Sequence, residues 1–390
     1  MNHEHKKSPN LKNLPRKLLY DVVQLFAIEG KGATEVFNYL ELNYPREVEE
    51  FELSREKVYP IVHVACEKQI LICNPQLPER DLRELVGRLN ELVGRLNDKV
   101  QSGQRIDVVE ASRYSANSQV TDRTVEVLLD LIDRKHQADP QRRIILGVGG
   151  GMSVQAVIEK LGARLRFATR NLVLRCQSLI PGFTPHEDDA PVSYSRFFKE
   201  AREERGLDID FFGLSAAPFV WDKDLTQQRE QDPFMQEAFE NAKHLDIVIT
   251  GIASVVGGHR HGTLARTFDK YKKHPELSRL EKHLIAHKWL GDIHYCPFNA
   301  EGPVPLEGHW RPMSLVTIDD LKNLVRQRAY VVLCAGFCNV DGCDETRTAA
   351  LYPLVRKPQL KGSWTHIVTE CQTARELKSS IDSEPVLTSH

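Results

Sequence analysis

The period of the apolar positions changes twice along the chain. From Pro15 to Pro75 it is helical, and Leu18, Leu19, Val22, Val23, Leu25 and Phe26 form a first stripe that Gly30 and Gly32 end. A second helix is predicted from Thr34, a hydroxyl residue suited to an N-cap, with Val36, Phe37, Tyr39 and Leu40 facing inward. Ser54 is placed to cap a third, which carries Arg55, Glu56 and Lys57 on its first turn and Val58, Ile61, Val62 and Ala65 behind them. The apolar run at 69–72 then reads as a short strand. Three helices and a terminal strand are the pattern of a winged helix-turn-helix, whose third helix enters the major groove of duplex DNA. On that reading Thr34, Ser54, Arg55, Lys57 and Tyr59 face the DNA. The same pattern fits any small three-helix module, and two features blur it: the acidic stretch 43–52 is longer than a tight turn, and Pro60 falls inside the third helix.

A tandem duplication follows, Glu-Leu-Val-Gly-Arg-Leu-Asn at 84–90 and again at 91–97. Leu82, Leu85, Leu89, Leu92 and Leu96 alternate steps of three and four, so they share one helix face. That seam suits pairing with a second copy and predicts a homodimer or homotetramer; the competing use is packing on the chain's own body, and Gly87 and Gly94 weaken a free-standing coiled coil. From about Val120 the apolar runs become strand-like, at 144–146, 172–174, 247–250, 330–334 and 366–368, with helical stretches between them. This predicts an α/β domain with a largely parallel sheet and a ligand at the strand C-terminal ends. The expected organisation is a winged helix-turn-helix over 15–76, a helical self-association linker over 77–118, and a Rossmann-like α/β domain over 119–390.

Composition narrows the class. At 390 residues the chain is too long for one core, and 41% apolar with 27% charged residues is ordinary for a packed globular protein. No apolar run reaches the ~20 residues that cross a bilayer, so a cytoplasmic location with no membrane partner is expected. Cys66, Cys73, Cys176, Cys296, Cys334, Cys338, Cys343 and Cys371 are scattered, with no disulfide framework. The net charge of -2 excludes coating of nucleic acid along the whole length but leaves room for a small basic reading head.

The sharpest chemical signal is the strand at 144–146 followed by Gly147, Gly149, Gly150, Gly151, Met152 and Ser153 and then a helical run. Glycines let the backbone approach a phosphate, and a helix N-terminus supplies free N–H donors, so this turn is a candidate anion site. It is neither a P-loop nor the dinucleotide fingerprint. Cys334, Cys338 and Cys343 lack a paired Cys-x-x-Cys knuckle, so no metal is expected. The polar loop 257–262 reads as a lid over a ligand or an exposed turn. His283, His287 and His294 have no evident third ligand beside them, no nucleophile with its base stands out, and no cofactor is expected.

The glycine turn resembles that of the SorC/DeoR-type sugar-binding transcriptional regulators, whose effector domain opens with a strand and Gly-x-Gly-Trp-Gly-x-Thr before a helix. Gly147, Gly149, Gly151 and Ser153 occupy matching places, while Gly150 replaces the Trp. Further segments resemble the family in the same order: the stretch 208–220, Asp246 to Ala253, Gly291-Asp292-Ile293, Phe298-Asn299-Ala300-Glu301-Gly302, and 331–336 followed by a helix whose first turn bears a cation, here Arg347. The resemblance covers about 120–377. It implies a helix-turn-helix ahead of a sugar-phosphate isomerase-like domain, duplex operator DNA and a small phosphorylated sugar-like effector as partners, and no catalysis. Effector contacts are then expected from the turn 147–153, Gly251, Asp292, Asn299 and Arg347. Two departures stand out: Asn299 takes the place of an acidic residue, and an insertion over 338–345 precedes Arg347. The competing class is a sugar-phosphate isomerase or deaminase-like enzyme using Asp292, Glu301 or His294; a third is an N-terminal module that binds protein instead of DNA.

Overall fold

In the computed structural model, which describes residues 11–28, 31–67, 85–91, 104–109, 116–165, 172–181, 191–205, 207–214, 216–256, 259–338, 343 and 345–383, the first apolar stripe closes on two further helices. The chain divides into two units, Met1–Gln76 and Leu77–His390. In the first, α1 (Arg16–Val23) runs on into a π-helical turn, Gln24–Ile28, and is followed by α2 (Ala33–Asn43), α3 (Pro45–Glu50), a 3-10 turn (Arg55–Lys57) and α4 (Val58–Glu67). Leu18, Leu19, Val22, Val36, Leu40, Val58 and Ile61 are fully buried between them.

Three details differ from expectation. The acidic stretch is not a loop, because Pro45 starts a short helix at N1, where its missing N–H costs nothing. Thr34 is not the N-cap: α2 begins at Ala33, and Glu35 reaches back to accept the Gly32 N–H at 2.9 Å. Pro60 sits in the first turn of α4, where no intrahelical acceptor awaits its nitrogen, so it breaks nothing. The strand expected at 69–72 lies outside the described residues.

The second unit begins with a helix at 85–91 (α5) and continues with β1 (Arg105–Val109), α6 (Ala116–Ala138), β2 (Ile144–Val148), α7 (Met152–Leu165) and β3 (Val173–Ser178). A 3-10 stretch (Pro191–Phe198) leads into α8 (Lys199–Arg205), β4 (Asp208–Phe212), β5 (Phe219–Trp221), α9 (Asp222–Gln231) and α10 (Pro233–Ala242). Next come β6 (Ile247–Gly251), β7 (Ala253–Ser254), α11 (Thr263–Lys270), α12 (Pro275–Ala286), β8 (Gly291–Ile293), β9 (Cys296–Phe298) and β10 (Trp310–Pro312). The unit ends with α13 (Ile318–Arg326), β11 (Tyr330–Ala335), α14 (Thr348–Arg356), β12 (His366–Glu370) and α15 (Cys371–Asp382).

Among the described residues the main sheet has seven strands in the order β1-β12-β11-β6-β2-β3-β4, all parallel. All five strand runs read from the sequence are in it. Strands β11 and β12 are buried almost end to end, and β11 is apolar nearly throughout, because helices cover both faces of a parallel sheet. From β2 the chain winds outward through β3 to β4, then returns to the other side of β2 at β6 and winds out through β11 to β12. This doubly wound order puts a switch point between β2 and β6, where a crevice opens beyond the strand ends. Close packing of α7 beneath it uses Gly162, where a Cβ would lie 2.2 Å from the Phe197 carbonyl oxygen.

The helical linker expected over 77–118 is corrected. Residues 105–109 are an edge strand of the sheet, so the α/β unit starts well before 119. The duplicated leucines pack on their own unit where they are described: Leu85 and Leu89 are buried with Ile106 and Val108. The side chain of Asn90 fixes this contact, donating to the Ile106 carbonyl at 3.1 Å and accepting the Ile106 N–H at 2.7 Å, which completes the free edge of β1 as a neighbouring strand would. Leu82, Leu92 and Leu96 lie outside the described residues.

Candidate ligand-binding site

The switch-point crevice is a cleft of about 660 Å³, part of it open to solvent. Its floor is the turn between β2 and α7, where Gly151 has φ 101°, a backbone state that side chains other than glycine's resist. Gly150, Gly151, Met152 and Ser153 line the cleft. The first N–H groups of α7 have no intrahelical acceptor and point out of the helix end, which favours an anion.

Two of the expected glycines do other work. Gly147 is inside β2, where a Cβ would meet Leu245 at 2.9 Å, so it serves sheet packing. Gly149 donates its N–H to the Ile249 carbonyl at 2.9 Å and is not available to a ligand. Its missing Cβ makes room for the His294 ring, whose Nε2 would be 2.7 Å away.

Cations come from two helices. Arg347, the N-cap of α14, lines the cleft with Nη1 lacking a partner among the described residues, and burial pulls its guanidinium below the ordinary range. Arg266, from the middle of α11, lines it as well and was not foreseen. No motif marks it, because its place depends on how α11 packs after the loop at 259–262. That loop contributes His261 and Gly262 to the cleft wall.

The opposite wall is the β8–β9 hairpin. Ile293 pairs with Cys296 across a two-residue turn in which His294 and Tyr295 have φ of 51° and 62°. Such turns favour Asn-Gly, and each bulkier residue costs roughly 1–2 kcal/mol there, a sign that these side chains are held for a purpose. Asp292, just before the turn, is buried, and one carboxylate oxygen, Oδ2, has no partner among the described residues. Burial pushes its carboxyl up to about 7, against the backbone N–H of Tyr295 and the charge of Arg347, which both lower it. His294 is buried with neither ring nitrogen bonded among the described residues, and loss of solvent takes it down to about 3, so it is neutral at physiological pH.

Asn299 is corrected: it is absent from the cleft and closes its own loop, accepting N–H bonds from Glu301 at 2.8 Å and Gly302 at 3.1 Å. Glu301 is exposed and outside the cleft as well. Gly251 lines the cleft at the end of β6, as expected. His283 of α12 has a largely buried side chain, bonded to the Pro305 carbonyl and beside Glu307, and it stacks against exposed His287 at the helix C-cap.

On the N-terminal unit, Ser54 stands at the N-cap of the 3-10 turn that leads into α4. Arg55 is exposed and paired with Glu56 at 3.2 Å, and Tyr59 is 61% exposed, edge-on to Phe26. Lys57 is turned back, with Nζ 3.1 Å from the Phe51 carbonyl. Thr34 is exposed on α2.

Solved structures share the fold, one of them over nearly the whole chain. The full-length sorbitol operon regulator SorC from Klebsiella pneumoniae superposes with a TM-score of 0.58 over 94% of this chain and 99% of its own, at 13% identity. The chain has the fold of a full-length SorC-type regulator. A DeoR family transcriptional regulator from Listeria monocytogenes matches the SorC-type fold over 76% of this chain and 100% of its own, with a TM-score of 0.52 and 16% identity. A transcriptional regulator from Streptococcus pneumoniae does so over 78% and 98%, with a TM-score of 0.53 and 13% identity. No protein-family model and no curated protein sequence matches the chain. Among the described residues no helix is long and apolar enough to cross a membrane.

Proposed function

We propose that the chain is a DNA-binding transcriptional regulator whose α/β unit binds a small phosphorylated sugar-like effector and thereby changes DNA affinity. The observation that carries this is the lining of the cleft. The α7 N-terminus, Arg266 and Arg347 line it together with Asp292, whose unsatisfied carboxylate oxygen is a hydroxyl acceptor. Phosphate is read where amides and guanidinium groups converge, and a hydroxyl gives Asp292 the partner it lacks. The N-terminal unit supports the DNA half: Ser54, Arg55 and Tyr59 share the 3-10 turn and first turn of α4, while Lys57 must swing away from Phe51 to join them. One short helix buries too little surface for specificity, so a homodimer or homotetramer on paired half-sites completes the reading. That assembly rests on DNA geometry, since the described heptad leucines are already buried in their own unit.

Calorimetric titration with a panel of sugar phosphates and their parent sugars tests the ligand class. The phosphorylated member is expected to bind at least about tenfold tighter, the equivalent of ~1.4 kcal/mol. Equal binding of both, or none by any phosphate, removes the reading. One observation favours a second reading: a buried carboxyl held near neutrality beside a ligand cleft is what a general acid or base requires. Turnover of the bound sugar phosphate by the purified chain would establish the enzyme instead.

A further inference from the structure

The insertion before Arg347 and the polar loop before α11 meet in space. We propose that His259, His261, Cys338 and Cys343 together bind a tetrahedral zinc ion that ties these two loops into the wall of the cleft. One ligand atom from each residue can be chosen so that all four lie within 4.8 Å of one another. Around zinc the bonds are about 2.0–2.3 Å, so ligand atoms stand roughly 3.3–3.8 Å apart, and a small inward movement of the side chains completes the shell. The His261 Nδ1 to Cys338 Sγ distance is already 3.2 Å.

The surroundings prepare the ligands. His259 is 5% exposed, and its Nδ1 sits 2.6 Å from the Ser254 carbonyl, which puts the proton on Nδ1. That leaves the lone pair of Nε2 free, and Nε2 is a buried atom with no partner among the described residues. An imidazole fixed by a backbone carbonyl through its other nitrogen is the usual setting of a metal ligand. Arg347 hydrogen-bonds the Cys338 sulfur, supplying the N–H donor that steadies a thiolate. Binding converts two thiols to thiolates and releases both protons to solvent, so the filled site is neutral overall.

Four protein ligands leave no open position, so the ion is structural and takes no part in catalysis. The sequence reading, which expects no metal, did not bring these four residues together. It grouped Cys338 and Cys343 with Cys334, which is buried within β11, and the two histidines that complete the set lie some eighty residues earlier in the sequence. His261 and Cys338 also line the ligand cleft, and Arg347 touches Cys338, so the ion would fix the cation that faces the effector. The metal site stands whether or not that effector is a sugar phosphate.

The test is metal analysis of the full chain, prepared under reduction without a histidine tag. About one zinc per chain is expected, released by a mercurial thiol reagent, and replaceable by cobalt with the visible bands of a tetrahedral thiolate site. Cys343→Ser, at a partly exposed loop position, should lower zinc affinity at least tenfold with unchanged circular dichroism. Cys296→Ser should retain the metal. A reduced wild-type chain that holds no zinc and gives no cobalt–thiolate bands on titration overturns the proposal. Zinc retained equally by Cys343→Ser and His261→Ala does so too, and that result would stand even if one variant folded poorly.

Discussion

Arg347→Ala is expected to weaken binding of the phosphorylated effector by roughly ten- to a hundredfold, because a hydrogen bond to a charged group contributes ~1.5–3 kcal/mol. The buried guanidinium already has its desolvation cost in the free protein, and its unpaired Nη1 gains a partner only when the anion arrives. The parent sugar, which lacks the anion, should bind wild type and variant alike. Arg347→Lys should recover part of the loss, since an ammonium keeps the charge without the planar fork. The same calorimetric panel measures all three proteins. Equal loss for the sugar and its phosphate would mean that Arg347 holds the cleft together and does not read the anion.

Asp292→Asn should stabilise the α/β unit at neutral pH and do little near pH 4. The carboxyl titrates at about 7 when folded and near 3.9 when unfolded, so between these values the folded state holds a proton that the unfolded chain has lost. Stability from this group is therefore fully present in acid and falls as pH rises, by an amount on the order of 2–4 kcal/mol. His294 works in the opposite direction, since its folded value of about 3 lies below its unfolded one and stability rises with pH across that window. In the wild type the two slopes offset each other between about pH 4 and 6.5. In Asp292→Asn only the rising slope of His294 remains. All four tryptophans, Trp221, Trp289, Trp310 and Trp364, lie in the α/β unit, so urea unfolding followed by their fluorescence at pH 4.5 and 7.5 reads the difference. A stability gap that does not change with pH would show that Asp292 is ionised in the folded cleft.

The sheet was legible in the sequence because parallel strands buried on both faces leave uninterrupted apolar runs, as at 330–334. The glycine turn, Gly251, Asp292 and Arg347 were legible as an ordered series of short segments, and the structure brings them to one cleft. Strand β1 was not, because its five residues contain a charged pair, Arg105 and Asp107, that bond each other at the sheet edge. The leucine heptads left two uses open, because a face of leucines looks the same whether it meets a second copy or its own β1, and the structure shows the second use for Leu85 and Leu89. Asn299 was misassigned from its place in a motif, whereas its amide has a local loop to close. Arg266 carried no signal at all, and His261 only as part of a polar loop that read equally as a lid or an exposed turn. Their positions depend on long-range packing of α11, which no short window of sequence contains.

The central claim is that one ligand couples the cleft to DNA. Coupling must be reciprocal: an effector that alters DNA affinity binds with an affinity that DNA alters by the same factor. The most direct measurement is the dissociation constant for the duplex upstream of the chain's own gene, at fixed salt, with and without the sugar phosphate found by calorimetry. A shift of at least about fivefold, on the order of 1 kcal/mol, that disappears in Arg347→Ala is the predicted result. DNA affinity unchanged by a ligand that demonstrably fills the cleft would contradict the account.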